Sequence, residues 1–270
     1  MSRRPQRAPS PAPVAPAPAA KPMSSRGRIA SIIVLLVAFV ALVGLGSWQM
    51  ERRAWKLDLI QQVEARADAP ARLLPPPAQW PALNRASDEY AHVRVSGVFD
   101  HAKEALVYTV LSEPNGPLRG PGFSVITPLM LSDGSSVLIN RGFVPTDKRD
   151  PAARAAGQVE GPVTVTGLLR FAEEASSFVP DNDPARNAWY RRDPAQIAAA
   201  RGLPRAAPFM IDADATPNPG GLPQGGETRL VFPNLQLEYA LTWYGLAATM
   251  LAVVVAVIVS RRRRGAARVS

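Results

Sequence analysis

Two apolar stretches without a single charge constrain this chain more than any other feature. Residues 29–46 read IASIIVLLVAFVALVGLG and residues 239–260 read YALTWYGLAATMLAVVVAVIVS. Each has about the length that a helix rising 1.5 Å per residue needs to cross a hydrocarbon core of ~30 Å. Once both are set aside, the rest of the 270 residues suits one further domain.

The net charge of +9 would fit a nucleic-acid partner, but its distribution argues against one. Six basic residues (Arg3, Arg4, Arg7, Lys21, Arg26, Arg28) precede Ile29, five (Arg261 to Arg264, Arg268) follow Ser260, and neither tail holds an acid. The middle keeps 20 of the 31 basic residues against all 22 acids, close to neutrality. Lys and Arg flanking a span stay on the cytoplasmic side, where anionic lipid also attracts them. Both termini are therefore predicted to be cytoplasmic, with the middle domain across the bilayer and no nucleic-acid partner. A cleaved signal peptide is the competing reading, with Gly44 and Gly46 as small residues near a cleavage site. The apolar run exceeds the usual length of such a region and passes directly into a helical pattern. The prolines between Pro5 and Pro22 rule out the amphipathic helix of a transit peptide.

The predicted order is a disordered Pro/Arg-rich tail (1–28), a first transmembrane helix (29–48), a β-rich domain (49–238) opening with a helix (49–67), a second transmembrane helix (239–260) and a basic tail (261–270). In the leading helix Trp48, Trp55, Leu59 and Val63 recur at helical spacing, and Pro70 with Pro75 to Pro77 ends it. Strand-like runs follow at 90–99, 104–111, 123–131, 135–144, 163–171, 209–214 and 228–232, with a short candidate at 189–192. Asp133-Gly134 marks a hairpin. Asp193 caps a short helix that stops near Gly202. The fold class is thus an α+β membrane protein, with two transmembrane helices flanking a barrel- or sandwich-like extracytoplasmic domain.

Catalytic constellations are missing. There is no cysteine, hence no disulfide, thiolate metal site or cysteine nucleophile. The two histidines, His92 and His101, form no metal pattern, and His92 reads as solvated surface beside Arg94. Glu173-Glu174, Asp181/Asp183 and Asp212/Asp214 read as loop carboxylates without a partner base, and the glycines at 220–226 as loop punctuation. No enzyme is predicted.

Four segments together resemble the surfeit locus protein 1 family of cytochrome c oxidase assembly factors. They are Gly46-Ser47-Trp48-Gln49 with Arg52, Arg53 and Trp55-Lys56-Leu57; the strand Tyr90 to Phe99 with Gly97; VLINRGFVP at 137–145; and Tyr239 to Leu246, opening the second span. The resemblance covers residues 29 to about 259 and implies a bacterial member in the cell inner membrane, with a periplasmic domain. It implies help in maturing a haem-copper oxidase, with oxidase subunits and the bilayer as partners and haem a as a possible cofactor. Trp48, Arg52, Trp55, Tyr239 and Trp243 would lie near the boundary, where indole faces and arginines suit an apolar tail and propionates. Arg141, beside a Gly142 bulge, is a further candidate for a partner or a propionate; the bulge equally serves to shape the barrel. One departure stands out: Gln236 occupies the place of the family's proposed haem-ligating histidine, and glutamine is a poor iron ligand. That leaves His92 or His101 as ligand, haem held without that ligand, or a scaffold role alone. A binding module for another envelope complex and a tethered hydrolase are the alternatives.

Overall fold

A computed structural model describes residues 24–230, 232 and 234–266. The predicted tail at 1–28 lies mostly outside the described residues, as do 267–270 and Val231 of the expected strand 228–232. The chain divides into two units, Met1–Arg53 with Asn234–Ser270, and Ala54–Pro233.

The first unit holds the apolar helices. Helix α1 runs without a break over Ser25–Ala67, and α4 covers Gln236–Ala266, starting before Tyr239 and continuing past Ser260 through the four consecutive arginines. Both are long and apolar enough to cross a membrane, and their apolar windows are almost entirely unburied by protein. A soluble protein would not leave Ile32, Leu36, Val40, Leu251 and Val255 bare in water. This is a membrane protein with a span near each end.

Gly46 and Tyr244 mark where the two helices meet. A methyl on Gly46 would lie 2.6 Å from the Tyr244 ring. Ser47 Oγ and Tyr244 Oη are 3.2 Å apart, a hydrogen bond that meets polar needs lipid cannot satisfy.

The second unit is a closed barrel. Its strands are β1 (Arg72–Leu73), β2 (His92–Phe99), β3 (Ala105–Leu111), β4 (Gly120–Met130), β5 (Ser136–Pro145), β6 (Pro162–Arg170) and β7 (Ala206–Ala213), ordered β1-β2-β6-β7-β5-β4-β3. The ring closes because β2 also pairs with β4, Val98 opposite Met130. Closure leaves β2, β6, β7, β5 and β4 without free edges. β5 and β7 run parallel, while β2–β6, β6–β7, β4–β5 and β2–β4 are antiparallel.

Strand alternation sorts the core. Val93, Val95, Leu129, Val137, Ile139, Leu169, Phe209 and Ile211 form one cluster, with Trp80 edge-on to Phe209 at 5.6 Å. Leu138 and Met210, one residue out of phase, join Val107, Ile126, Trp189 and Ile197 in a second cluster. The one-turn helix α2 (Arg85–Asp88) precedes β2, and helix α3 (Pro194–Ala200) lies on the side of the second cluster. Asp193 accepts a hydrogen bond from the Gln196 amide at its start, and Gly202, at φ +62°, follows its end. β5 is buried along nearly its whole length, with the polar Asn140 and Arg141 enclosed among its apolar residues. At the Asp133-Gly134 turn, Asp133 accepts from the Ser135 amide and Gly134 takes φ +78°.

Two expected strands are corrected. Residues 189–192 make one isolated bridge, Trp189 to Val107, because Arg191 and Arg192 turn to carboxylates instead of a ladder. Thr228–Leu230 form no strand; the Thr228 hydroxyl is spent on Asp212. The Gly142 bulge is present. Ser124 pairs with Phe143 and Ile126 with Asn140, so Arg141 and Gly142 together face Val125.

Candidate functional site

Asp212, near the end of β7, sits at the centre of a buried charge cluster. Its carboxylate is 1% exposed and accepts from Asn140 Nδ2 (2.9 Å), Thr228 Oγ1 (2.7 Å), Arg170 Nη1 (3.2 Å) and Arg192 Nη1 (3.1 Å). Arg170 reaches on to Glu89 at 2.8 Å and Arg192 to Glu173 at 2.7 Å. The Arg170 guanidinium also lies over the Tyr90 ring, 4.5 Å from its centroid. A cavity of about 180 Å³ opens beside the cluster, lined by Tyr108, Asn140, Glu173, Tyr190, Arg192 and Thr228.

Burial alone would raise the Asp212 pKa, but the Arg192 and Arg170 charges and the Thr228 and Asn140 hydrogen bonds outweigh it and hold the group below the ordinary carboxylate range. Arg192 is likewise held charged by Asp212 and Glu173 against the effect of burial. A carboxylate so fully engaged is a poor general base. It braces β5, β6, β7 and the loop at Thr228. Asp212 and Glu173, expected in or beside loops without a partner base, are instead tied to arginines. The arginines lie far off in sequence, so spacing along the chain gave no sign of the pairing.

His92 is also corrected. It is not a solvated side chain: Nδ1 lies 2.8 Å from the Ala69 carbonyl and Nε2 2.9 Å from Asp214 Oδ2. The Ala69 carbonyl and an ionised Asp214 both accept, an arrangement that favours the doubly protonated ring. Burial lowers its pKa, yet the Asp214 and Ala69 bonds and the Asp214 and Asp68 charges raise it further. Arg66, Arg72 and Ser87 line the same recess. A raised folded pKa contributes stability fully below the unfolded value of ~6.5, and that contribution fades as pH climbs through the folded value. Melting of the wild-type protein should therefore fall as pH rises above neutrality, by on the order of 1 kcal/mol. His92→Gln should flatten that slope in a thermal melt across the same range; an unchanged slope contradicts the assignment.

The residues singled out from the sequence fall in different surroundings. On α1, Trp48, Arg52 and Trp55 follow at spacings of four and three and so share one face. The Arg52 guanidinium sits 5.6 Å from the Trp48 ring centroid, and Trp48 and Trp55 are 49% and 61% exposed. Further along α1, Val63 is buried. Tyr239 is exposed and Trp243 half-buried on α4. Gln236 opens α4, and its Oε1 is shielded without a hydrogen-bond partner.

Arg141 lies inside the barrel. It is 2% exposed, donates through Nη2 to the Gly157 carbonyl and, at 3.3 Å, to Asn218 Oδ1, and lies 4.7 Å from the Phe99 ring centroid. It belongs to the barrel interior, not to an open surface. The Gly46–Tyr244 contact is the feature the sequence reading missed; Gly46, weighed there as a cleavage signal, was its one trace.

Haem a, implied by the resemblance, would need an imidazole for its iron. Both nitrogens of His92 are engaged. His101 Nε2 bonds the Val159 carbonyl at 2.9 Å, and its Nδ1 is shielded from solvent. Gln236 brings only an amide. Among the described residues the one imidazole nitrogen without a hydrogen-bond partner, His101 Nδ1, is buried away from any incoming iron, and no group of three or more His, Asp or Glu side chains gathers to hold a metal. The residues present do not fit an iron-ligated haem.

Comparison with known proteins fixes the family. The SURF1 family model matches residues 36–248. The chain is 41% identical over 237 residues to "Surfeit locus protein 1" of Xenopus tropicalis, covering 83% of this chain and 74% of the frog protein. It is 40% identical over 228 residues to the Homo sapiens protein of that name, covering 80% and 73%. A "SURF1-like protein" of Monosiga brevicollis is 43% identical over 228 residues, covering 81% and 84%. With two apolar end helices, a closed barrel between them and a match over most of its length, the chain belongs to the SURF1 family.

Proposed function

We propose that this protein is a non-enzymatic assembly factor for a haem-copper cytochrome c oxidase. It holds an oxidase subunit intermediate at the outer face of the bacterial inner membrane and has both termini in the cytoplasm. The observation that carries this reading is the family match over residues 36–248, joined to the resemblance in the span-flanking segments. The exposed Trp48-Arg52-Trp55 face supports it, because indoles and an arginine at the edge of an apolar stretch suit docking against another membrane subunit. The fully engaged carboxylates of the barrel support a role without chemistry of its own.

Since His92 is engaged through both nitrogens and the unpartnered His101 Nδ1 is buried, the reading favours stabilising a subunit over ligating haem iron. The test is gene deletion followed by complementation. Deletion should cut oxidase activity and the oxidase haem a absorbance together, leaving unrelated membrane enzymes intact, and Trp48→Ala with Trp55→Ala should rescue poorly. Normal oxidase spectra and activity in the deletion strain under all growth conditions contradict the proposal and shift the role to another envelope complex.

A further inference from the structure

Arg141 is a buried cation without a carboxylate of its own. The acid whose charge favours its ionised form, Glu104, is paired with Arg154 through two hydrogen bonds, and the Arg154 charge opposes that of Arg141. Burial, the largest cause, together with Arg154 lowers the Arg141 pKa to about 10. Its Nη1 has no hydrogen-bond partner, and one of the two contacts of Nη2, that to Asn218, is long at 3.3 Å. Uncompensated buried charge is costly to fold around and marks sites where a ligand supplies the missing partner.

Arg141 lines a cavity of about 280 Å³ whose walls are mainly apolar: Phe99, Ile139, Val159, Val163 and Val165. At ~30 Å³ per water, that is space for about nine waters, or a ring-sized organic molecule. Asp214 also borders the cavity, but its carboxylate is bonded to His92, which offsets its charge. Backbone on both flanks keeps the guanidinium in place, since Nη2 is anchored on the Gly157 carbonyl and the bulge at Gly142 is packed against Gln224.

We propose that this cavity is a binding site for a small apolar carboxylate, whose oxygens take Arg141 Nη1 and displace Asn218 from Nη2. Two parallel bonds from a guanidinium to a carboxylate are the strongest pairing open to this side chain. The apolar walls hold the body of the ligand. The inference is independent of the oxidase reading, because it rests on the barrel alone.

The test uses the full-length protein in nanodiscs, titrated with para-fluorobenzoate or its uncharged twin para-fluorobenzamide and followed by fluorine NMR. Benzoate should broaden saturably, and the amide should bind about tenfold more weakly or not at all. Arg141→Gln should erase the difference. Because that variant also loses the bond to Gly157, Val163→Phe provides a second check: it fills the cavity, keeps Arg141 and should abolish benzoate binding with the barrel's amide exchange unchanged. Equal broadening by acid and amide, broadening that never saturates, or benzoate binding that survives Val163→Phe overturns the proposal.

Discussion

Replacing Asp212 with alanine should destabilise the barrel by about 3–5 kcal/mol, the largest single-residue effect expected. The carboxylate is almost wholly buried between Arg170 and Arg192. Without it, two guanidiniums remain in a low-dielectric interior with only Glu89 and Glu173 to offset them, and Asn140 and Thr228 lose their acceptor. Thermal melts or urea titrations of the variant read the loss directly. Asp181→Ala is the control: that carboxyl is 94% exposed and 3.7 Å from Arg191, so its removal should change stability by less than about 0.5 kcal/mol. The depressed pKa of Asp212 adds an acid-side signature. Its contribution is present above the unfolded value of ~3.9 and is lost as pH falls through the lower folded value. Asp212→Ala should therefore weaken the pH dependence of melting in strongly acid solution and leave it unaltered near neutrality. Equal stability of Asp212→Ala and Asp181→Ala would remove the brace from the account.

Gly142→Val should cost nearly as much, for a reason of backbone rather than charge. Gly142 has φ +119°, a conformation that β-branched residues avoid. Strain there is ~1–3 kcal/mol. A Cβ would also lie 1.9 Å from the Gln224 carbonyl oxygen, so the loop must move. That loop is held by a reciprocal pair of bonds, Phe143 N to Gln224 O and Gln224 N to Phe143 O, both 2.8 Å. Losing them adds ~0.5–1.5 kcal/mol each, for a total of about 2–6 kcal/mol. Amide exchange at Phe143 and Gln224 should accelerate together. A variant with wild-type melting and unchanged exchange at these two amides would contradict this role for the bulge.

The sequence made the helices and most strands legible because each buries one regular pattern. The uncharged runs gave both spans, and alternation at 93–95 and 163–169 gave β2 and β6 to within a residue or two. Asp193 and Gly202 framed α3, and Gly142 betrayed the bulge. What stayed hidden depends on partners distant in the chain. Asp212 meets Arg170 and Arg192 across 42 and 20 residues, and His92 meets Asp214 across 122. No spacing rule reports such pairs, so His92, read as solvated, proved to be engaged. Barrel closure was left open against a sandwich for the same reason, since it rests on the Val98–Met130 and Phe99–Leu129 pairings. Over Thr228–Leu230 the expected strand is absent, and Thr228 is committed to a side chain instead.

Everything proposed about partners requires the barrel to face away from the cytoplasm. The absence of cysteine allows a direct measurement. Phe178→Cys places one thiol at a position 97% exposed on the barrel, and Ser270→Cys places one in the basic tail. Spheroplasts expressing each variant are treated with a membrane-impermeant maleimide, before and after permeabilisation. The account predicts labelling of the barrel thiol in sealed spheroplasts and of the tail thiol only after permeabilisation; the reverse pattern would contradict it.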